Sequence, residues 1–219
     1  MTDAATTGAA GPTVRLRRER DADAGDVARI VGDAFGAGQP AVPLLVDALR
    51  PFSRFDAAGA GTAPAPRGAA KPLALIAELD TEPVGHVMLS LAMIDAWKSL
   101  AEVLVLSPLA VLPDRQGAGI GTALVAGAVA LAREVGAPAV FLEGAPRYYG
   151  GRGFVAAEPL GFRRPSLRIP APAFQVMLLP AYQTWMTGTL IYPPPFWDLD
   201  CVGLRDRAFV ERMEHSAGS

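Results

Sequence analysis

Residues 104–131 constrain this chain more than any other stretch, because they read as a buried strand, a glycine-rich turn and a helix in direct succession. Val103 to Leu106 and Leu109 to Leu112 form a branched apolar run of strand length, broken by Ser107-Pro108 and stopped by Pro113-Asp114. The turn holds Gly117, Gly119 and Gly121. After it, Ile120, Leu124, Ala128, Leu131 and Val135 recur at helical spacing.

Glycines this dense weaken a helix, so the segment needs a reason for them. A bound phosphate supplies one. The first amides of a helix have no internal acceptors and lie at its positive end, and missing side chains let an anion come close. The Walker pattern fails, because no Lys-Ser or Lys-Thr follows the glycines. The dinucleotide pattern G-x-G-x-x-G is matched only in part, with the last spacing wrong. Gly117 and Gly121 also spell the G-x-x-x-G of membrane helices. The apolar run from Gly117 to Ala132 falls short of the roughly 20 residues a bilayer needs.

The 219 residues suit one domain with extensions, and 51% hydrophobic content is enough for a substantial core. A net charge of −2 gives no footprint for nucleic acid and no polybasic membrane anchor. Cys201 is the single cysteine and cannot form an internal disulfide; with two histidines, a structural zinc site is not expected. The first fourteen residues lack Lys, Arg and an apolar core, so no secretory signal is read and the expected location is the cytoplasm.

In chain order, residues 1–12 read as a disordered start and Thr13 to Arg17 as a strand. A helix capped by Asp21 or Asp23 runs to Gly36 or Gly38, and Pro43 opens a second. Residues 57–71, rich in Gly, Ala and Pro, read as a flexible insertion. Leu73 to Glu78 and Val84 to Ile94 form a hairpin, with His86 as a packed core residue more than a base. Ala139 to Leu142 is a short buried strand, Phe154 to Ala156 begins another, and Ala173 to Leu179 is the last core strand. Leu190 to Trp197 is expected in polyproline geometry, packed on the domain. Residues 201–219 form a C-terminal extension, in which Arg205 to Gly218 could be a short helix.

Gln116, Gly119 and Gly121, after Val111-Leu112-Pro113, fit the pattern Q/R-x-x-G-x-G/A following a strand that ends in V-x-P. Arg147 to Phe154 (RYYGGRGF) places Tyr149 four residues before a Gly-Phe pair. Together these resemble motifs A and B of the GNAT superfamily of N-acetyltransferases. Val84-Gly85-His86 in the third strand and the closing Tyr192-Pro193-Pro194-x-Phe196 look like its YhbS-like branch. The likeness runs from about Thr13 to Trp197, so residues 13–200 are read as the acetyltransferase domain. The chain departs from the branch at Val42 or its neighbours, where a helix glutamate is usual, and at Ala145, where Asp is usual.

The resemblance implies an α/β (α+β) fold: a mixed, mostly antiparallel sheet splayed into a V and flanked by helices, with Pro108 at the splay. It implies acetyl-CoA as cosubstrate, held by Leu109, Ala110, Val111, Gln116, Gly117, Ala118, Gly119, Ile120, Gly121 and Thr122. It implies direct attack of a primary amine on the thioester; the mild acidity of the chain favours a cationic small molecule as acceptor, with no nucleic acid or membrane partner expected, and a homodimer is allowed. Tyr149 is the candidate acid for the leaving thiolate, with Tyr148 its rival. Glu143 is the first candidate base, followed by Glu102, Glu78 and His86, with solvent as the remaining choice. Three other readings stay open: a non-catalytic acyl-CoA sensor, an acetyltransferase of protein amino groups, and a nucleotide-binding protein.

Overall fold

A computed structural model describes residues 14–55 and 72–203. The expected disordered start, the 57–71 insertion and the terminal helix lie outside the described residues.

The first strand, β1 (Val14–Arg18), is followed by a helical turn at Asp21–Asp23 and by α1 (Ala24–Phe35). Asp23 accepts the Arg20 amide at 2.7 Å, and Gly36, at φ 59°, ends the helix. The second helix, α2 (Ala41–Leu49), starts two residues before Pro43, which therefore lies in its first turn, where its missing N–H costs nothing. Strands β2 (Ala74–Leu79) and β3 (Glu82–Ala96) meet at Asp80-Thr81, both at positive φ, the two-residue turn whose twist matches the flanking strands. The organising segment gives β4 (Leu100–Val111) and α3 (Ile120–Glu134). Then come β5 (Ala139–Glu143), α4 (Pro146–Gly150), β6 (Val155–Ala156), β7 (Phe174–Leu178), β8 (Gly188–Ile191) and α5 (Pro195–Asp198).

The sheet runs β1-β2-β3-β4-β5-β7-β6, and β8 pairs with the far half of β3. Every pairing is antiparallel except β4 with β5. That parallel pairing consists of Leu104 with Val140 and Val105 with Phe141, and then stops. Beyond this fork β4 continues beside β3 to Val111, while β5 continues beside β7 to Glu143. The mostly antiparallel sheet is therefore open at one place, between the two strands that flank the fork.

Pro108 explains how β4 survives a residue without an N–H. The β3–β4 register passes from Leu89 opposite Leu106 to Val87 opposite Leu109, so Ser107 and Pro108 together face Met88 in a bulge. The bulge lies just past the fork, where β4 has lost β5 as a neighbour.

The core follows the predicted stripes. Ile120, Leu124, Ala128 and Leu131 of α3 are buried, each larger side chain contributing about 1.5–3 kcal/mol, whereas Val135 lies just past the helix end and is half-buried. Gly85 faces α3 closely enough that a Cβ would meet Leu124 Cδ1 at 2.9 Å. On the opposite face Phe141 is flanked by Phe162 and Phe174, with ring centroids 5.0 and 5.6 Å away.

The C-terminal part departs from the sequence reading. Ala173 to Leu179 is not the last strand, because β8 adds itself to β3. Polyproline geometry is absent from Pro194 onward, since Pro194 is in the right-handed helical region and α5 begins at the next residue. Proline at a first helical turn is tolerated for want of an acceptor there.

Candidate functional site

The site grows from the end of β4. Leu112 N–H bonds to Val84 O at 2.9 Å, so alternation turns Ala110 toward β3 and leaves the Leu109 and Val111 backbones facing the opened side. Of the expected group Leu109, Ala110 and Val111, the first presents its edge N–H and C=O, the last its edge N–H, and the middle residue is spent on the sheet. The Gln116 side chain donates back to the Val111 carbonyl at 3.1 Å. That bond ties the turn back to the end of β4.

After the turn, Gly117 and Gly119 stand at φ 79° and 82°, a region costly for other residues. Gly119 is the N-cap of α3, and the first helical bond runs from Ala123 N–H to Gly119 O at 3.0 Å. The amides from Gly117 through Thr122, including those of Ala118 and Ile120, have no backbone acceptor among the described residues. Six successive N–H groups without a backbone acceptor therefore lie at the positive end of a fifteen-residue helix. The Ile120 side chain itself is buried, so only its backbone takes part.

Gly121 has an ordinary φ and is needed for another reason. A Cβ there would lie 2.3 Å from the Tyr148 hydroxyl. Tyr148 and Tyr149, adjacent on α4, are thus assigned to different places. The Tyr148 ring reaches the start of α3, whereas the Tyr149 ring lies across Gly144, whose added Cβ would meet Tyr149 Cε2 at 2.2 Å. Tyr149 also packs on Tyr148 and Phe154, with centroids 4.8 and 5.9 Å away. Burial, and then the neighbouring Tyr148, push its phenol above the ordinary tyrosine range, against the pull of Arg152. It is a proton donor at neutral pH.

Glu143 stands on the other arm of the fork, two residues beyond the last β4–β5 pair. Burial raises its carboxyl from 4.5 to about 7, against hydrogen bonds from Tyr192 and from the Gly203 amide at 3.1 Å. Tyr192 is itself buried and packs on Phe196 of α5, which in turn packs on α2. Glu143 therefore faces the α2 side of the sheet, opposite α3. Tyr192 and Gly203 were missed by the sequence reading. The Tyr-Pro-Pro run was noticed, but a partner 49 residues upstream leaves no local signal.

The lesser base candidates are occupied. Glu78 is paired with Arg17 at 2.5 Å, and Arg17 also holds Asp23. Glu102 lies opposite Met93, on the closed side of the fork. His86 is fully buried, its Nε2 2.9 Å from Glu19, which also pairs with Arg50. Burial alone would raise the Glu19 carboxyl, but His86 and then Arg50 hold it below its ordinary value. This network joins β1, α2 and β3 in the interior. Among the described residues no cluster of three or more His, Cys, Asp or Glu could hold a metal, and no helix is long and apolar enough to cross a membrane.

Known proteins are similar to this chain in sequence and fold. The family model described as Acetyltransferase (GNAT) family matches residues 47–162, more than half of the chain. An uncharacterized N-acetyltransferase of Escherichia coli K12, YjhQ, is 33% identical over 82 residues, which are 37% of this chain and 45% of that protein, less than half its length. A GNAT family acetyltransferase of Brucella melitensis, solved in complex with acetyl-CoA, superposes with a TM-score of 0.62 at 25% identity, covering 84% of this chain and 98% of that one. The Escherichia coli GNAT family protein YhbS, solved with CoA, gives 0.67 at 24%, covering 90% and 95%, and speaks for the fold. With the strand, turn and helix that organise the fold falling inside the matched residues, the chain belongs to the GNAT family of acetyltransferases.

Proposed function

We propose that this protein transfers an acetyl group from acetyl-CoA to the primary amine of a small molecule, by direct attack of the amine on the thioester. The observation that carries the reading is the row of unsatisfied amides from Gly117 to Thr122, opening beside the free edge of β4. Such a row suits a diphosphate, and the Leu109 and Val111 edge groups suit the amide-bearing arm of the same molecule. Acetyl-CoA supplies an activated acyl carbon; the protein supplies orientation and proton management.

The acceptor amine must be neutral. An alkyl amine with a pKa near 10.4 is protonated at pH 7, and deprotonating it costs roughly 4–5 kcal/mol. Glu143, held at about 7, is matched to that task, because half of it is ionised at neutral pH. It faces the α2 side, whereas the amide row lies at the start of α3, so acceptor and cosubstrate approach from opposite faces of the fork. A free N–H on the β4 edge at Leu109 or Val111 serves the developing oxyanion. Tyr149, a donor beside Gly144 at the tip of the other arm, serves the departing thiolate.

The test is release of free coenzyme A from acetyl-CoA across a panel of amines. Release that depends on a small amine supports the proposal. Tight binding without turnover points to an acyl-CoA sensor, and turnover only with protein amino groups points to a macromolecular acceptor.

A further inference from the structure

Arg152 occupies a place that its charge makes unfavourable. It follows α4, its guanidinium lies 3.6 Å over the Tyr148 ring, and Nη2 donates to Thr122 Oγ1 at 2.5 Å in the first turn of α3. Nη1 donates to the Tyr148 carbonyl. These contacts fix a cation against the first turn of α3, at the end of the helix where the dipole is already positive and the amides through Thr122 have no backbone acceptor. No acidic side chain stands in that first turn. Arg152 has no carboxylate partner among the described residues, and its buried Nε has no acceptor at all. By contrast Arg133, in the last turn of the same helix, stands where the dipole favours a cation.

Two arrangements remove the conflict: the arginine could swing away, or an anion could lie between it and the helix. The stack on Tyr148 and the two hydrogen bonds hold the side chain in place. The close approach of Tyr148 to Gly121, which a Cβ would prevent, seats the ring that carries it. The guanidinium has five N–H donors; two are used and one is buried, which leaves one on each terminal nitrogen. A fork of that kind suits adjacent phosphate oxygens.

We infer that Arg152, seated on Tyr148 and Thr122, is a binding residue for the diphosphate of coenzyme A and closes the amide row from the α4 side. This rests on the amide row being the coenzyme A site. It adds to that reading a charged residue from a second motif, so the start of α3 and the end of α4 grip the same group.

The test is calorimetric binding, with no turnover involved. Wild type, Arg152→Gln and Arg152→Met are titrated with acetyl-CoA, with its 3′-dephospho form and with S-acetylpantetheine, which has no phosphate. The methionine variant keeps an apolar stem on the Tyr148 ring, so either folded variant suffices. The expected result is a loss of roughly 10- to 100-fold for both phosphate-bearing ligands, equal within error, with S-acetylpantetheine unchanged. Unchanged affinity for acetyl-CoA overturns the inference. A loss confined to the 3′-phosphorylated ligand overturns it in favour of the 3′-phosphate, and an equal loss with S-acetylpantetheine reduces Arg152 to a prop. A folded wild type that binds none of the three ligands refutes the coenzyme A site itself, an outcome separate from any failure of Arg152.

Discussion

The two arms of the fork are built from different material. On the β4 arm the candidate cosubstrate site is backbone: edge groups of Leu109 and Val111, then the amides from Gly117 to Thr122. On the β5 arm the candidate chemistry is in side chains, with Glu143 tuned by burial beside Tyr192 and Tyr149 laid across Gly144. Backbone donors of a helix start are supplied by any sequence that folds there, so their demand falls on glycines. Side-chain groups instead take their properties from whatever packs on them. The first arm should therefore break when the chain is stiffened or filled, and the second when a functional group is removed at constant shape.

The largest effect is expected from Gly119→Val. A branched residue at φ 82° must shift the turn or hold about 1–3 kcal/mol of backbone strain, so acetyl-CoA affinity measured by calorimetry should fall by up to roughly 100-fold. Unchanged affinity would show that the turn geometry is not what binds. On the other arm, Tyr149→Phe keeps the ring on Gly144 and removes the donor. Turnover on an established acceptor should fall about 10²-fold, the low end for a good leaving group, while the acetyl-CoA dissociation constant stays fixed. A change in binding instead would move Tyr149 to the first arm.

Glu143→Gln sharpens the contrast through pH. In the wild type the rate should have an acid limb near pH 7, and the variant should lose it along with most of its turnover at neutral pH. The linkage has a definite sign. A folded pKa of about 7 above an unfolded 4.5 means that the native state binds more protons between those values, so this group makes stability fall as pH rises through the window. The thermal midpoint of the variant should therefore decline less from pH 5 to pH 8 than that of the wild type. Parallel declines would mean that Glu143 is ionised throughout. The smallest effect is expected from Tyr148→Phe, which keeps the ring under Arg152. It should cost no more than a few-fold in acetyl-CoA affinity and leave turnover nearly constant, in opposition to its neighbour. If Tyr148→Phe loses turnover and Tyr149→Phe does not, the assignments of the two tyrosines are exchanged.

How legible each part was in the sequence follows the same division. The strand, turn and helix of residues 104–131 could be read directly, because apolar period and glycine position are local consequences of backbone geometry. The α4 tyrosines were readable as a pair but not as two roles, since neighbouring residues on a short helix diverge only when something packs between them. The Gly144 and Gly121 contacts make that division. In the sequence Pro108 suited either the splay or a plain bulge, and the register shows a bulge with β3 just past the fork.

The resemblance of two motifs to a known family implied the α/β class and the fork, while chain order and pattern by themselves determined the strand, turn and helix of residues 104–131 and the helix start with its free amides. The latter depend on interactions between residues close in sequence, or on a period that repeats along one element. Tertiary structure alone decided that the segment around Gly188 returns to β3 as an eighth strand. It also brought Tyr192 and Gly203 to Glu143, and set Arg152 on Tyr148 against the start of α3. Those outcomes depend on desolvation and on partners dozens of residues away. A carboxylate, a phenol or a guanidinium carries no mark in its own neighbourhood of which group will bury it.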